Sequence, residues 1–392
     1  MLKEKLYEII DSKSREIVKI RRYLHQHPEI SFKERGTAEY IRSFYAGKDV
    51  EWVRHPVGKN GVTVKIKGGK PGKTLALRAD FDALAIREET GLGYSSVNPG
   101  VMHACGHDAH TAILLAAADA LIQSRAELGG DVVVIHQYAE EVSPGGAGPM
   151  IEAGALDGVD AIVGGHVWAS EKTGSIAVPA GMCMAGRSYF KVVITGFGGH
   201  GSQPHRCVDP IVAASHFVVA AQSILSRSVD PLDAAVVTVG RFEGLGAFNI
   251  IPNSVTLEGD VRIFSEDVSR LIEKRFKEIL TGITGAYGCS YELTYKNDYP
   301  PVVNDAGLAG FARNFIGAGA VPGLELLEIA PTMGSEDFSC YQRKIPGLYV
   351  FFGARPDGEP FPHHHPKFDI DEACMINCAK FFAAFSADFL EQ

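Results

Sequence analysis

Residues 102–124 read MHACGHDAHTAILLAAADALIQS, and a short turn later residues 131–137 read DVVVIHQ. The Ala/Leu-rich run 109–124 predicts a helix, with Asp108 as its N-cap. The second run, rich in β-branched valine and isoleucine, predicts a buried strand. A strand at 74–78 precedes the helix, and further strands are expected at 61–67 and 160–165. Strands alternating with helices predict a largely parallel sheet with both faces covered. Such sheets bind their ligands at the carboxyl ends of the strands.

Outward from this core, the first 30 residues place Leu6, Ile9, Ile10, Ile17, Ile20 and Leu24 at helical spacing. Near residue 186 the pattern changes. Strand 188–195 is followed by helix 210–226, strands 235–242 and 254–263, helix 266–287 and strand 290–296. That β-α-β-β-α-β order is the split βαβ, or ferredoxin-like, unit. The α/β pattern then resumes with a helix at 305–317, a strand at 348–353 and a helix from 371 onward. The expected organisation is an α/β domain built from 1–185 and 299–392, interrupted by an α+β domain at 186–298.

Composition narrows the class. A chain of 392 residues suggests two or three domains at about 150 residues each. With 46% hydrophobic and 22% charged residues, it is neither disordered, collagen-like nor a disulfide miniprotein. No apolar run approaches the roughly 18 residues of a membrane span. The N-terminal segment mixes both charge signs, unlike a secretory signal. A net charge of −9 disfavours nucleic acid as a partner. Seven scattered cysteines suit a reducing compartment better than a disulfide framework. These features predict a cytoplasmic protein.

Four features fall at expected strand ends or at the start of the next helix. They are Cys105-Gly-His107-Asp108, the pair Glu140-Glu141, His166, and His363-His364-His365-Pro366. Thiolate, imidazole and carboxylate are the donors of zinc and its first-row neighbours. Of two adjacent carboxylates, one can ligate while the other serves as a general base beside a metal-activated water. Singly, each feature has a plain explanation. Cys105 reads as an inert buried thiol, the glutamates as a solvated loop, and the histidines as a surface tract. Together in one domain they point to a metallohydrolase.

The strings MHACGHDAHT, QYAEEVSPGGAGPMIEAG, GGHVW, MGSEDFS and HHHPKFDIDE occur in order. With them the chain resembles the aminoacylase/hippurate hydrolase branch of the di-metal aminopeptidase-like amidohydrolases. That branch includes N-acetyl-diaminopimelate deacetylases and auxin-conjugate hydrolases. The resemblance runs from RRYLHQHPE near residue 21 to FDIDE near 372. It implies an aminopeptidase-like catalytic domain with a mixed, largely parallel sheet, interrupted by a ferredoxin-like lid and dimerisation domain. Cys105, His107, Glu141, His166 and His364 are the implied ligands of two divalent metal ions, with Cys105 bridging. Zinc, manganese, cobalt and nickel all suit that set. Glu140 is the implied general base and acid, taking a proton from the attacking water and delivering it to the leaving amine. Where other branches have a ligand histidine in His-x-Asp, this chain has Arg78-Ala79-Asp80. Asp80 then either orients a ligand imidazole or pairs with Arg78.

For the inserted domain the resemblance implies His200, in GFGGHGSQPH, as a residue that reaches a partner subunit's active site and holds the substrate carbonyl. Asn249 and Arg262 match family positions that contact the substrate's carbonyl region and carboxylate; a guanidinium suits bidentate carboxylate capture. A salt bridge at a strand edge is the other reading of Arg262. Gly334-Ser335-Glu336-Asp337 is expected near the site without an assigned role. His25, His27, His136 and His216 are read as structural, His103 and His110 as neighbours of the metal loop, and Cys374 and Cys378 as core packing. The implied reaction is hydrolysis of N-acyl-L-amino acids, of N-acetyl or N-benzoyl type, by a homodimer or a dimer-based oligomer. A metallo-dipeptidase or carboxypeptidase, and a non-catalytic metal-binding protein, are the alternatives.

Overall fold

The computed structural model describes residues 2–53 and 60–392. It divides into two units. One comprises Met1–Cys183, Val303–Ala330 and Asp337–Gln392; the other comprises Met184–Val302 and Pro331–Glu336.

The first unit is built on an eight-stranded sheet ordered Glu51–Trp52, Val62–Ile66, Asp131–Gln137, Thr74–Asp80, Ala161–Trp168, Gly347–Gly353, Ser175–Ala177, Glu325–Leu327. The four strands from Asp131–Gln137 to Gly347–Gly353 run parallel, and their neighbours on either side run antiparallel to them. Every residue of Thr74–Asp80 and Gly347–Gly353 is buried, as parallel strands covered on both faces must be. The helix His107–Ser124 is buried along almost its whole length. Its alanines let Cys374–Leu390, Ser14–Gln26 and Leu2–Ser12 pack closely around it. Among the described residues no helix is long and apolar enough to cross a membrane.

Two details differ from expectation. The helix starts at His107, after Gly106 at φ 94°, and Asp108 caps nothing: its carboxylate accepts from Arg21 Nε at 2.9 Å and pairs with His25 Nδ1 at 2.8 Å. The strand expected to end at residue 165 continues to Trp168 because Gly347–Gly353 pairs with it in parallel along its full length. His166 therefore lies inside the strand, opposite Phe351.

In the second unit the antiparallel sheet is ordered Ala235–Glu243, Ser254–Ile263, Gly186–Thr195, Ser290–Tyr299. The helices Pro210–Arg227 and Glu266–Tyr287 complete a β-α-β-β-α-β chain order. Gly186–Thr195 alternates buried and more exposed positions, so Phe190, Val192 and Ile194 meet Phe217 and Phe276 of the helices in one core. Residues 331–336, outside the expected 186–298 segment, group with this unit: Ala185 N–H donates to Thr332 O at 3.0 Å.

Candidate metal centre and active site

Parallel pairing brings the carboxyl ends of four strands together: Asp80 stands opposite Gln137, and Phe351 opposite His166. Around these ends the first unit gathers six of the residues singled out by sequence. Cys105 Sγ lies 3.3 Å from His166 Nε2. His364 Nε2 lies 3.2 Å from Glu141 Oε1, and His107 Nε2 lies 3.8 Å from the same oxygen. Donor atoms of Cys105, Glu141 and His364 fall within 4.8 Å of one another, as do those of His107, Glu140 and Glu141. Cys105 forms a further group of this kind with His166 and His363.

The local backbone aims these donors. His166 Nδ1–H donates to Val167 O at 2.6 Å, which leaves Nε2 bare toward the thiol. His107 Nδ1–H donates to Asp82 O at 3.0 Å, with Asp82 Oδ1 at 3.3 Å, which turns Nε2 to Glu141. Asp82 Oδ2 also accepts from Glu141 N–H at 3.1 Å and from Ser31 Oγ at 2.7 Å. One aspartate thus orients the His107 ring and fixes the backbone at Glu141. His364 takes φ 67°, and its N–H donates to Ala104 O at 2.8 Å, tying the histidine loop to the Cys105 loop.

Electrostatics fit a dication. Burial raises the Cys105 thiol well above its usual pKa, and Glu141, Glu140 and Asp80 raise it further. Burial works to lower His107, but Asp80, Asp82 and Glu141 hold it up to about 10. Burial and then the neighbouring His110, His363 and His107 rings keep His166 well below its ordinary value, hence neutral. His107 Nε2 and Glu141 Oε1 are buried atoms without a hydrogen-bond partner. Buried polar atoms otherwise find partners, so two such atoms facing each other in a thiol–imidazole–carboxylate set fit metal ions.

His110 is excluded as a donor despite its position. Its Nδ1–H donates to Asp80 Oδ1 at 2.6 Å, and its Nε2 accepts Val167 N–H at 2.9 Å, so both nitrogens are engaged. Asp80 also accepts from Arg78 Nη1 at 2.7 Å, so it serves the ion pair and a histidine that carries no lone pair to a metal. Arg78 continues to Asp337 through Nη2 at 2.9 Å, and Asp337 accepts from Gln137 Nε2 at 2.8 Å and Ala147 N–H at 3.0 Å. This buried polar chain pins the strand ends behind the site. It supplies a role for Asp337, while Ser335 of the same motif accepts from Arg262 in the second unit.

Asp82 was not singled out by sequence reading, and His363 only as part of the histidine tract 363–365, without a ligand role. The spacing in Arg78-Ala79-Asp80-Phe81-Asp82 holds the signal for the first, because residues two apart in extended chain share a side. His363, whose ring Nδ1 lies 3.8 Å from Cys105 Sγ, packs on Trp168 with ring centres 4.8 Å apart.

In the second unit His200 and Asn249 are neighbours. His200 pairs with Ile250 across a short antiparallel ladder, and Gly201 N–H donates to Asn249 O at 2.8 Å. His200 Nδ1 accepts from Ser202 N–H at 3.2 Å, so its proton sits on Nε2. Arg262 lies on an inner strand rather than an edge; its Nε donates to Asp260 at 2.5 Å and its Nη1 to Ser335 Oγ at 3.0 Å.

Known proteins carry the same architecture. YhaA of Bacillus subtilis is 43% identical over 97% of this chain and 96% of its own. The N-acetyl-L-cysteine deacetylase of the same organism is 40% identical over 94% of this chain and 86% of its own. The crystal structure of Bacillus subtilis YxeP, described as a dinuclear metal binding peptidase, superposes with a TM-score of 0.85 at 35% identity, covering 97% of this chain and 99% of that one. The model of peptidase family M20/M25/M40 matches residues 76–388. With this match and a donor set suited to two metal ions, the chain belongs to peptidase family M20/M25/M40 and is a metal-dependent hydrolase of amide bonds.

Proposed function

We propose that the enzyme hydrolyses N-acyl-L-amino acids, of N-acetyl or N-benzoyl type, to a carboxylate and a free amino acid. One observation carries the reading: a buried carboxylate, Glu140, stands within 4.8 Å of donor atoms on His107 and Glu141, beside a thiol common to two donor groups. In this reading Cys105, His107, Glu141, His166 and His364 would hold the two ions, with the Cys105 thiol common to two of the donor groups. When bound, the ions polarise the scissile carbonyl and acidify a water. Glu140 takes the proton of the attacking water and delivers it to the leaving nitrogen.

The second unit supplies recognition as a ferredoxin-like lid. His200, protonated on Nε2, is a donor for the substrate's carbonyl oxygen, and Asn249 joins it there. Arg262 offers Nη2 to the substrate carboxylate, its Nε and Nη1 being held by Asp260 and Ser335. A second copy of the chain fits the same unit. Val212 and Val219 stand exposed on Pro210–Arg227, on the side away from its buried face, and Ala235–Glu243 is an edge strand of the same unit's sheet; an exposed apolar helix face and a sheet edge both suit self-association. His200 then serves the partner's site. Seven free thiols suit the cytoplasm.

The test measures amine release from a panel of N-acetyl amino acids, N-benzoyl amino acids and dipeptides. The protein is stripped by chelator and reloaded with zinc, manganese, cobalt or nickel. Metal-restored release from acyl amino acids is expected; preference for dipeptides would turn the reading to a dipeptidase. Glu140→Gln should abolish turnover and keep both metals, and retained turnover would remove Glu140 as the base.

A further inference from the structure

Glu34 lies outside the donor cluster and is wholly buried. Its Oε1 accepts two backbone N–H groups, from Phe32 and from Ala139, each at 2.9 Å; its Oε2 accepts from Asn60 Nδ2 at 2.9 Å. Both backbone donors belong to residues with left-handed φ, 69° at Phe32 and 52° at Ala139. Their side chains oppose that conformation, because Cβ crowds the backbone there. Such a residue persists only where its surroundings over-determine it. Ala139 immediately precedes Glu140, so its dihedral angles set the direction in which the Glu140 side chain leaves the chain. An apolar side chain at position 34 would avoid burying a carboxylate, but it would leave both N–H groups without this acceptor.

We propose that Glu34 is a positioning residue for the hydrolytic reaction: by accepting the Ala139 N–H it holds that residue in the left-handed conformation that presents Glu140 to the attacking water. The inference rests on the reading of Glu140 as the base. Its described hydrogen bonds go to Phe32, Asn60 and Ala139 and none to a metal donor, so its action runs through this backbone hinge. Glycine adopts the left-handed conformation without steric cost, so a glycine at position 139 should need Glu34 less.

The experiment is a cycle of Glu34→Ala, Ala139→Gly and the double variant, with Glu34→Gln as the conservative substitution. It is read as kcat and KM on the best substrate of the panel and as metal content of the reloaded protein. Misplacement of a catalytic group by about 1 Å lowers a rate by roughly 100-fold, so Glu34→Ala should lower kcat by about 10- to 100-fold. KM and a content of two ions per chain should stay as in the parent. Glu34→Gln keeps an oxygen for both N–H groups, while Asn60 can turn its amide oxygen to the new NH2; its kcat should stay within about threefold of the parent. In the glycine background the loss caused by Glu34→Ala should shrink to about threefold.

An unchanged kcat in Glu34→Ala, an equal loss in both backgrounds, or a loss of metal in step with the rate would each overturn the inference. If Glu34→Ala fails to accumulate as folded protein, Glu34→Asp, whose shorter side chain withdraws the oxygen, takes its place with the same expected outcomes. Glu140→Gln run in parallel separates the two levels. A dead Glu140→Gln beside a fully active Glu34→Ala refutes the positioning role alone. An active Glu140→Gln, or a parent silent on the whole panel, removes both.

Discussion

At the scale of single residues, Cys105 shows how identity and neighbourhood divide the work. Its thiol is pushed well above the usual range by burial and three carboxylates, and a bound dication would draw the proton off. Cys105→Ser replaces it with a hydroxyl that resists ionisation, so metal analysis of the purified variant should find fewer than two ions per chain and activity should fall at least about 100-fold. A variant that retained both ions would rule out thiolate ligation. His25, read from sequence as structural, is a buried cation. Burial opposes its charge, but the Asp108 and Glu88 carboxylates raise it from 6.5 to about 9. A pKa raised on folding stabilises fully below the unfolded value and is lost as pH rises through the folded one. Thermal melts should therefore show the protein losing up to about 3 kcal/mol between pH 6.5 and 9 that His25→Gln does not lose. The reverse holds for Glu88, lowered to about 2 with burial opposing and His25 favouring the shift: its contribution is complete above 4.5 and fades toward pH 2.

At the scale of elements, the strand Ala161–Trp168 explains the glycines of GGHVW. A Cβ on Gly164 would meet Phe338 Cε2 at 2.7 Å, and one on Gly165 would meet Phe352 Cε2 at 2.8 Å. The strand is buried between aromatic rings, and only hydrogen fits there. Gly164→Ala should lower stability by about 1–3 kcal/mol in denaturant titration. Because His166 follows two residues later, metal should also dissociate faster from this variant than from the parent. A variant equal to the parent in both would show the rings able to give way. The helix starting at His107 was legible in its Ala/Leu composition, but its first turn was not. Asp108 resembles an N-cap by type and place, yet Arg21 and His25, more than eighty residues earlier, claim its carboxylate. A local propensity yields to a buried ion pair that no local pattern contains.

For the molecule as a whole, the expected self-association rests on the second unit. Val219 is 74% exposed on Pro210–Arg227, on the side away from that helix's buried face. Val219→Asp would place a charge on that face and should shift sedimentation toward the monomer. If His200 acts across subunits, kcat should fall with dimer content, and a fully active monomer would refute that arrangement. With the proposed ligands, metal removal acts on the first unit. Ligands that bind only the folded state stabilise it by about 2.7 kcal/mol at 100 times Kd. Chelator-stripped protein should therefore melt several degrees lower and recover on reloading, with an unchanged melt ruling out a metal-linked fold.

The sequence by itself determined the alternation of strands and helices and the inserted β-α-β-β-α-β order, and it singled out the thiol, imidazole and carboxylate side chains of Cys105, His107, Glu140, Glu141, His166 and His364 that the fold brings together. Those features are periodic or local, written in neighbouring residues. Only the tertiary structure decided which carboxylate serves which histidine, because Asp80 meets His110 while Asp82 meets His107. It likewise decided that Asp337 braces Arg78 from more than 250 residues away, and that Glu34 closes on Ala139. Partner choice among buried polar groups is settled by three-dimensional proximity and the cost of leaving any of them unpaired, and neither is encoded at a fixed spacing along the chain.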